Sequence, residues 1–184
     1  LRATWHLTPA QRQLALVQQG QGSDCGLGWF RTAERAAQGR FSQPIYRDRP
    51  FVAVMRADRV AGAPRSLEAL LADPARPLLV KTGYSYGAAI DAMLATARVP
   101  PQATSAEPLP MARMVAAGRA GWMLMSGDEA EHLLALPEVA DGALASLPLA
   151  GQPPGPTRHL YCSPAVGEAW LARFDRALAT DGRP

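Results

Sequence analysis

Apolar and polar positions in the first third of the chain predict one helix and two strands. The helix is predicted to have Thr8 as its N-cap and Pro9 at its first position, and to end at Gly20. Apolar residues at 25–30 and 51–55 predict two short buried strands. The stretch between the strands has no clear period, so we expect it to be irregular.

From residue 66 onward, short apolar runs and helical patterns follow one another regularly. Helices are predicted at 67–72, 85–95, 110–117 and 128–136, and strands at 78–82, 102–106, 121–126 and 146–149. Such alternation is typical of a parallel sheet whose faces are covered by helices. The pattern therefore predicts an α/β fold.

Two stretches rich in glycine, proline or polar residues interrupt this pattern, at 58–66 and 151–156. A strand at 158–162 and a last helix follow, with Ser163 as the predicted N-cap and Pro164 at the first helical position. Neither end of the chain is long enough to bury a core alone, so we expect the two ends to fold together. The predicted division is a first lobe from 1–57 with 157–184, and a second lobe from 58–156.

Composition narrows the classes of function. The 184 residues are 48% hydrophobic and 19% charged, which suits a folded globular chain, and no apolar run approaches the roughly 18 residues of a membrane span. The net charge is +3, but the basic residues are spaced singly, which argues against nucleic-acid binding. Leu1 follows neither a methionine nor a leader, and we expect it to be a cut end.

The two cysteines, Cys25 and Cys162, lie far apart and form no cluster with the three histidines. A metal site is therefore not expected, and no cofactor is implied. An even number of cysteines is compatible with one disulfide in an oxidising compartment, and equally with two buried free thiols.

The segment Gly83-Tyr84-Ser85-Tyr86-Gly87, called here the GYSYG loop, has the form G-x-S-x-G of a serine-hydrolase nucleophile elbow. Ser85 followed by Asp128 or Asp141, and then by His159, has the chain order of an α/β-hydrolase triad. Two observations argue against this hypothesis. No oxyanion-loop motif precedes the serine, and His159 lies inside a predicted strand.

The same loop is also suited to binding. A glycine such as Gly83, followed by polar residues at a strand-to-helix junction, presents backbone N–H groups where an anion is stabilised. Ser85 would then be the helix N-cap and a ligand donor, with Tyr84 and Tyr86 as walls. The alternative interpretation is a plain N-cap with two surface tyrosines.

Three segments in order resemble one family. The segment SDCGLGWFRTAERAAQGRFSQPIYRDRPFVAVMR, at 23–56, resembles the first-lobe signature of periplasmic solute-binding proteins of ABC importers, family 3, which includes the polar amino-acid receptors. The residues that match are Gly22, Asp24, Thr32, Glu34, Arg35, Phe41, Ser42, Pro44 and Tyr46. The GYSYG loop and GRAGWMLMSGDEA, at 118–130, are similar to second-lobe motifs, and the tail HLYCSPAVGEAWLARFDRAL resembles the closing strand and helix.

The resemblance implies the two-lobed type II periplasmic binding fold, with an incomplete first lobe because the family begins with a further strand and helix. It implies a periplasmic, non-enzymatic monomer that captures an amino-acid-like solute or a carboxylate in an interlobe cleft. Hinge closure at the crossings near 56–60 and 153–158 would precede delivery to a membrane permease. A ligand-sensing domain of a signalling protein is the alternative within this fold.

The resemblance also assigns site residues. Arg35 falls where the family clamps the ligand carboxylate with a planar pair of donors, although a surface arginine at a turn remains the alternative. Gly28 and Phe30 fall at a strand end that offers backbone groups to the ligand, and Trp29 or Phe30 could stack on it. Ser85 falls where the family uses a hydroxyl from the opposite lobe.

The chain departs from the family at the acid that holds an α-ammonium group. Ser126 stands at that position, and the nearest acid, Asp128, lies two residues later. A standard α-amino acid is therefore not a secure ligand prediction. In the implied fold Cys25 and Cys162 lie on neighbouring strands, so we expect them to form a disulfide.

Overall fold

The computed structural model describes residues 3–139, 141–152 and 154–180. The helices are α1 (Ala10–Gln19), α2 (Ala33–Gln38), α3 (Ala57–Val60), α4 (Leu67–Leu71), α5 (Ala88–Ala95), α6 (Pro108–Ala116), α7 (Gly127–Leu134) and α8 (Glu168–Thr180). The strands are β1 (Cys25–Phe30), β2 (Arg40–Phe41), β3 (Tyr46–Arg47), β4 (Phe51–Arg56), β5 (Leu78–Lys81), β6 (Gln102–Thr104), β7 (Trp122–Ser126), β8 (Leu144–Pro148) and β9 (Thr157–Cys162).

The chain divides into two compact units. Unit 1 comprises Leu1–Arg47 with Pro156–Pro184, and unit 2 comprises Asp48–Gly155. The first boundary therefore falls after Arg47 and not after residue 57, where the sequence placed it. Pro153, in the predicted linker, and residues 1–2 and 181–184 of the predicted first lobe lie outside the described residues.

Unit 1 is built around β9, which pairs antiparallel with β1 on one side and with β2 and β3 on the other. Cys25 lies opposite Cys162 in this register, and the two form the disulfide that the resemblance implied. Val17 of α1 packs with Trp29 and Tyr161 in one buried cluster. The disulfide thus joins β1 to a strand that follows 137 residues later.

Unit 2 contains a five-stranded sheet in the order β6-β5-β7-β4-β8. Strands β5, β6 and β7 are parallel, as the alternating pattern predicted, but β4 is antiparallel to both of its neighbours. Four of the six residues of β4 are buried, which suits a strand in the interior of a sheet. This pairing explains why β4, expected in the first lobe, belongs to unit 2. The predicted crossing at 56–60 therefore lies inside unit 2.

Some helix ends differ from the prediction. Pro9 occupies the N-cap position of α1, one residue after the predicted Thr8, and the helix ends as predicted at Gly20, whose backbone is left-handed. The last helix, α8, begins at Glu168 and is not capped by Ser163. The Ser163 hydroxyl donates to the Gly22 carbonyl, which ties the segment before α8 to the entry of β1. No pattern predicted α2, which the Thr32 side chain caps.

Candidate functional site

In unit 1, Arg35 is buried beside the end of β1. Thr32 caps α2 by accepting a hydrogen bond from the Arg35 backbone N–H at 3.2 Å, and this places the Arg35 side chain back toward the strand. The Arg35 Nη1 donates to the Phe30 carbonyl at 3.0 Å, and its guanidinium carbon lies 4.7 Å from the centroid of the Trp29 ring. Arg35 is only 7% exposed, so the alternative of a surface arginine at a turn is wrong.

The resemblance suggested Trp29 or Phe30 for stacking on the ligand, and in the structure a guanidinium lies over each of these two rings. Trp29 is buried under Arg35 and donates its Nε1–H to the Gln13 side chain at 3.2 Å. The Arg158 guanidinium lies 4.9 Å from the centroid of Phe30. A guanidinium over an aromatic face is an attractive arrangement that also fixes the plane of the cation.

Gly28 lies at an irregularity of β1, where the register with β9 shifts between Leu27 and Trp29. Its φ of +82° is in the region that glycine favours. The Gly28 carbonyl accepts a hydrogen bond from Arg158 Nη1 at 3.1 Å. Arg158 was missed by sequence reasoning because only the pairing of β9 with β1 brings it to this strand end.

In unit 2, the GYSYG loop follows the carboxyl end of β5, and its helix begins later than predicted. Gly87, with φ of +88°, is the N-cap of α5, and the helix itself starts at Ala88. The prediction that Ser85 caps the helix is therefore wrong. The Ser85 hydroxyl donates to the Asp91 carboxylate and accepts from the Gly87 N–H at 3.1 Å.

The two tyrosines of the loop have different surroundings. Tyr86 is buried against Phe51, and its hydroxyl accepts from the Lys81 backbone N–H at 3.4 Å. Burial raises the pKa of Tyr86 to about 12. Tyr84 is 42% exposed, and the Lys81 ammonium lies 4.8 Å from its ring centroid. Tyr86 is thus a core residue, whereas Tyr84 has the exposure that a ligand wall requires.

Lys81 and Gly83 lie at the carboxyl end of β5. Lys81, a buried residue that the sequence analysis missed, forms an ion pair with Glu107. The sequence feature that could have indicated this residue is a lone lysine at the end of the apolar run LLVK. Gly83, with φ of +77°, forms the turn after β5.

Ser126 and Asp128 are both engaged locally. Ser126 is fully buried at the end of β7, and its hydroxyl caps α7 by accepting from the Glu129 N–H at 3.3 Å. Asp128 accepts from the Arg49 backbone N–H at 2.8 Å and from its Nε–H at 2.6 Å. The acid nearest to Ser126 is therefore already paired with a cation.

The candidate residues of the hypothetical hydrolase triad each have partners within their own unit. Ser85 donates to Asp91, while His159 has Nδ1 2.8 Å from the Ser42 carbonyl and Nε2 3.1 Å from the Thr157 hydroxyl. Asp141, the other candidate acid, accepts from the Ala143 N–H. Both imidazole nitrogens are thus occupied within unit 1, and the serine hydroxyl donates to a carboxylate and not to a histidine.

Among the described residues, no group of three or more histidine, cysteine or acidic side chains is arranged to hold a metal ion. None of the described helices combines the length and the hydropathy needed to cross a membrane.

Comparisons with known proteins extend this description. No protein-family model and no curated protein matches the sequence. The chain is similar to an ancestral arginine-binding protein bound to arginine, with a TM-score of 0.71 and 15% identity, over 94% of this chain and 71% of that chain. It is also similar to EhuB in complex with hydroxyectoine, with a TM-score of 0.73 and 19% identity, over 95% of this chain and 65% of that chain.

A third similar structure comes from work on glutathione import in Gram-positive bacteria via GshT and the cystine ABC importer TcyBC of Streptococcus mutans. Its TM-score is 0.73 at 17% identity, over 97% of this chain and 71% of that chain. The chain thus spans about two thirds of the length of the three structures described. These similarities confirm the predicted two-lobed periplasmic binding fold.

Proposed function

We propose that this chain captures a small solute outside the cytoplasm and that the solute is passed to the permease of an ABC importer. Proteins of the same fold bind arginine, glutamine and hydroxyectoine. The observation that carries the proposal is the buried Arg35, because its guanidinium is held by Trp29 and the Phe30 carbonyl in one plane and orientation. A guanidinium fixed in this way is suited to a carboxylate, which it binds through two parallel hydrogen bonds.

The proposed solute is an amino-acid-like molecule or a carboxylate. Arg35 supplies the cationic end of the site, with Gly28 and Phe30 beside it. In unit 2 the GYSYG loop and Ser126 are the proposed contacts. Since Ser126 is a serine and Asp128 is paired with Arg49, a solute ammonium has no acid at the usual position.

The proposed role requires no catalytic step. Support comes from the Ser85 hydroxyl, which donates to the Asp91 carboxylate, whereas both ring nitrogens of His159 have other partners. The disulfide between Cys25 and Cys162 supports a periplasmic location, since disulfides persist in oxidising compartments. We propose that the protein acts as a monomer before it meets the permease.

Ligand screening tests the proposal directly. Thermal shift and native mass spectrometry should be run with L-arginine, L-glutamine, glutathione, hydroxyectoine and simple dicarboxylates. At least one probe should raise the melting temperature of the wild type, and Arg35→Ala should abolish that shift. Arg31→Ala is the matched control, because Arg31 is exposed in the same unit. Normal binding by Arg35→Ala would disprove the carboxylate clamp.

A further inference from the structure

We infer that Asp91 determines the charge preference of the GYSYG loop by taking the hydrogen-bond donors that would otherwise hold an anion. The inference rests on the proposed function, in which this loop contacts the solute. It reverses the expectation from sequence, where the loop was a donor site for a carboxylate. In the structure the loop already holds a carboxylate, and that carboxylate belongs to the chain itself.

The hydrogen bonds of the loop show that its donors already have acceptors within the chain. A serine hydroxyl has one proton to donate, and the proton of Ser85 goes to Asp91 Oδ2. The Tyr86 N–H donates to Asp91 Oδ1 at 2.7 Å, and the Gly87 N–H donates to the Ser85 hydroxyl at 3.1 Å. The Tyr84 N–H donates to the Lys81 carbonyl at 3.1 Å. These four donors are therefore used within unit 2.

Asp91 is held in place by its own helix. It lies in the first turn of α5, where its N–H donates to the Gly87 carbonyl at 2.9 Å. A negative charge is favoured at that end of a helix. Its neighbours Ile90 and Tyr86 are buried, which anchors the helix and the loop on either side of the carboxylate. The carboxylate thus occupies the loop as a fixed part of the fold.

The consequence is a change in what the loop offers to a solute. The Ser85 oxygen has two acceptor lone pairs, and the Gly87 N–H takes one of them. Because its proton is hydrogen-bonded to Asp91, Ser85 acts toward a solute as a hydrogen-bond acceptor, next to the negative charge of Asp91. An ammonium or hydroxyl group suits this arrangement, and a second carboxylate is repelled. Unit 2 therefore still presents a carboxylate at this loop, although residue 126 is a serine.

The first test follows the loop amides without any solute. The full chain is labelled with ¹⁵N, and the Tyr86 and Gly87 signals are recorded as sodium sulfate replaces chloride at constant ionic strength. Asp91→Ala and Asp91→Asn remove the charge, and Asp141→Asn is the matched control because Asp141 also accepts a backbone N–H in unit 2.

We expect saturable shifts in Asp91→Ala, with a sulfate affinity at least about tenfold above that of the wild type and of Asp141→Asn, since hydrogen bonds to a charged group are worth this much. Asp91→Asn loses the charge but keeps one oxygen acceptor for the loop, so we expect a saturable but weaker response from it. A wild type that responds like Asp91→Asn would overturn the inference, as would a folded Asp91→Ala with no response. If Asp91→Ala does not fold, a stronger sulfate response of Asp91→Asn than of the wild type provides the result, because that variant has lost the negative charge.

The second test measures solute preference by isothermal titration with L-arginine and glutathione. Asp91→Asn should shift the ratio of affinities toward the more anionic glutathione by about tenfold or more, while Asp141→Asn leaves the ratio unchanged. An unchanged ratio in Asp91→Asn contradicts the inference. If the wild type binds neither probe nor any other solute, the proposed function fails, and the sulfate response still decides the role of Asp91.

Discussion

The guanidinium carbon of Arg35 lies 4.7 Å from the centroid of the Trp29 ring, while its Nη1 donates to the neighbouring Phe30 carbonyl. An arginine in this position has a fixed plane, which a lysine ammonium lacks. The arrangement connects the indole of β1 to the cation of α2 within one unit. It is the basis of the first prediction.

Arg35→Lys should keep the positive charge but lose the planar donor pair. We expect the affinity for a carboxylate-containing solute to fall about tenfold or more, because charge-assisted bidentate hydrogen bonds require the guanidinium geometry. Isothermal titration with the best probe from the screen measures this. Arg31→Lys should bind like the wild type, and an equal loss in that control would show that the effect is not specific to the clamp.

Removal of the disulfide should destabilise the protein. The bond closes a sequence separation of 137 residues, for which the chain-entropy estimate has an upper value of about 5 kcal/mol. We expect the double variant Cys25→Ser with Cys162→Ser to unfold at lower urea concentration than the wild type. Reduction of the wild type should have the same effect. Identical midpoints for oxidised and reduced wild type would contradict this prediction, as would two free thiols in the denatured, non-reduced protein.

Tyr86 should make the stability depend on pH in the alkaline range. Burial raises its pKa to about 12 in the folded state, above the ordinary value of 10.0. The neutral phenol is therefore favoured by folding, and its contribution is complete below pH 10 and lost as the pH rises through 12. The expected loss in free energy of unfolding between these values is about 2 kcal/mol.

Urea titrations at several alkaline pH values measure this loss. Tyr86→Phe should remove that part of the pH dependence, since the ring is kept and the titrating group is gone. Tyr84→Phe is the control, because Tyr84 is exposed. If the pH dependence of Tyr86→Phe equals that of the wild type, the burial of the Tyr86 hydroxyl is not its source.

Ser85 should be chemically inert. Its hydroxyl donates to Asp91, and His159 has both ring nitrogens engaged by Ser42 and Thr157. We expect no labelling of Ser85 by a fluorophosphonate probe and no ester hydrolysis that depends on it. Labelling that disappears in Ser85→Ala would instead support the hydrolase hypothesis.

Ser126→Asp tests the departure from the amino-acid receptors. Aspartate is as good an N-cap as serine, so α7 should keep its cap. The new carboxylate would be fully buried without a cation, so we expect a marked loss of stability without solute. We also expect a gain in affinity for α-amino acids over carboxylates without an ammonium group. Paired titrations with L-glutamine and glutarate measure the difference. No gain for L-glutamine would show that the site does not place an ammonium near residue 126.

Much of the local structure was predictable from sequence because it depends on short-range rules. The bounds of the strand at 25–30 and the end of α1 at Gly20 were predicted as observed, since an apolar run and a helix-ending glycine are local features. The strand was also predicted to be buried, but only Gly26 and Trp29 of it are. Helix starts were less accurate. The turn 83–87 delays α5 to Ala88 because Asp91 satisfies the loop donors from within the helix, a contact that no local pattern specifies.

The sequence by itself determined the α/β class, most strands and, through the resemblance, the pairing of Cys25 with Cys162. The tertiary structure decided that β4 belongs to the second sheet, that Arg158 reaches Phe30, and that Asp91 occupies the loop around Ser85. Hydrophobic period and capping preferences report on neighbours along the chain. Strand order and hydrogen-bond partners depend on which segments meet in space, and only the folded chain specifies those.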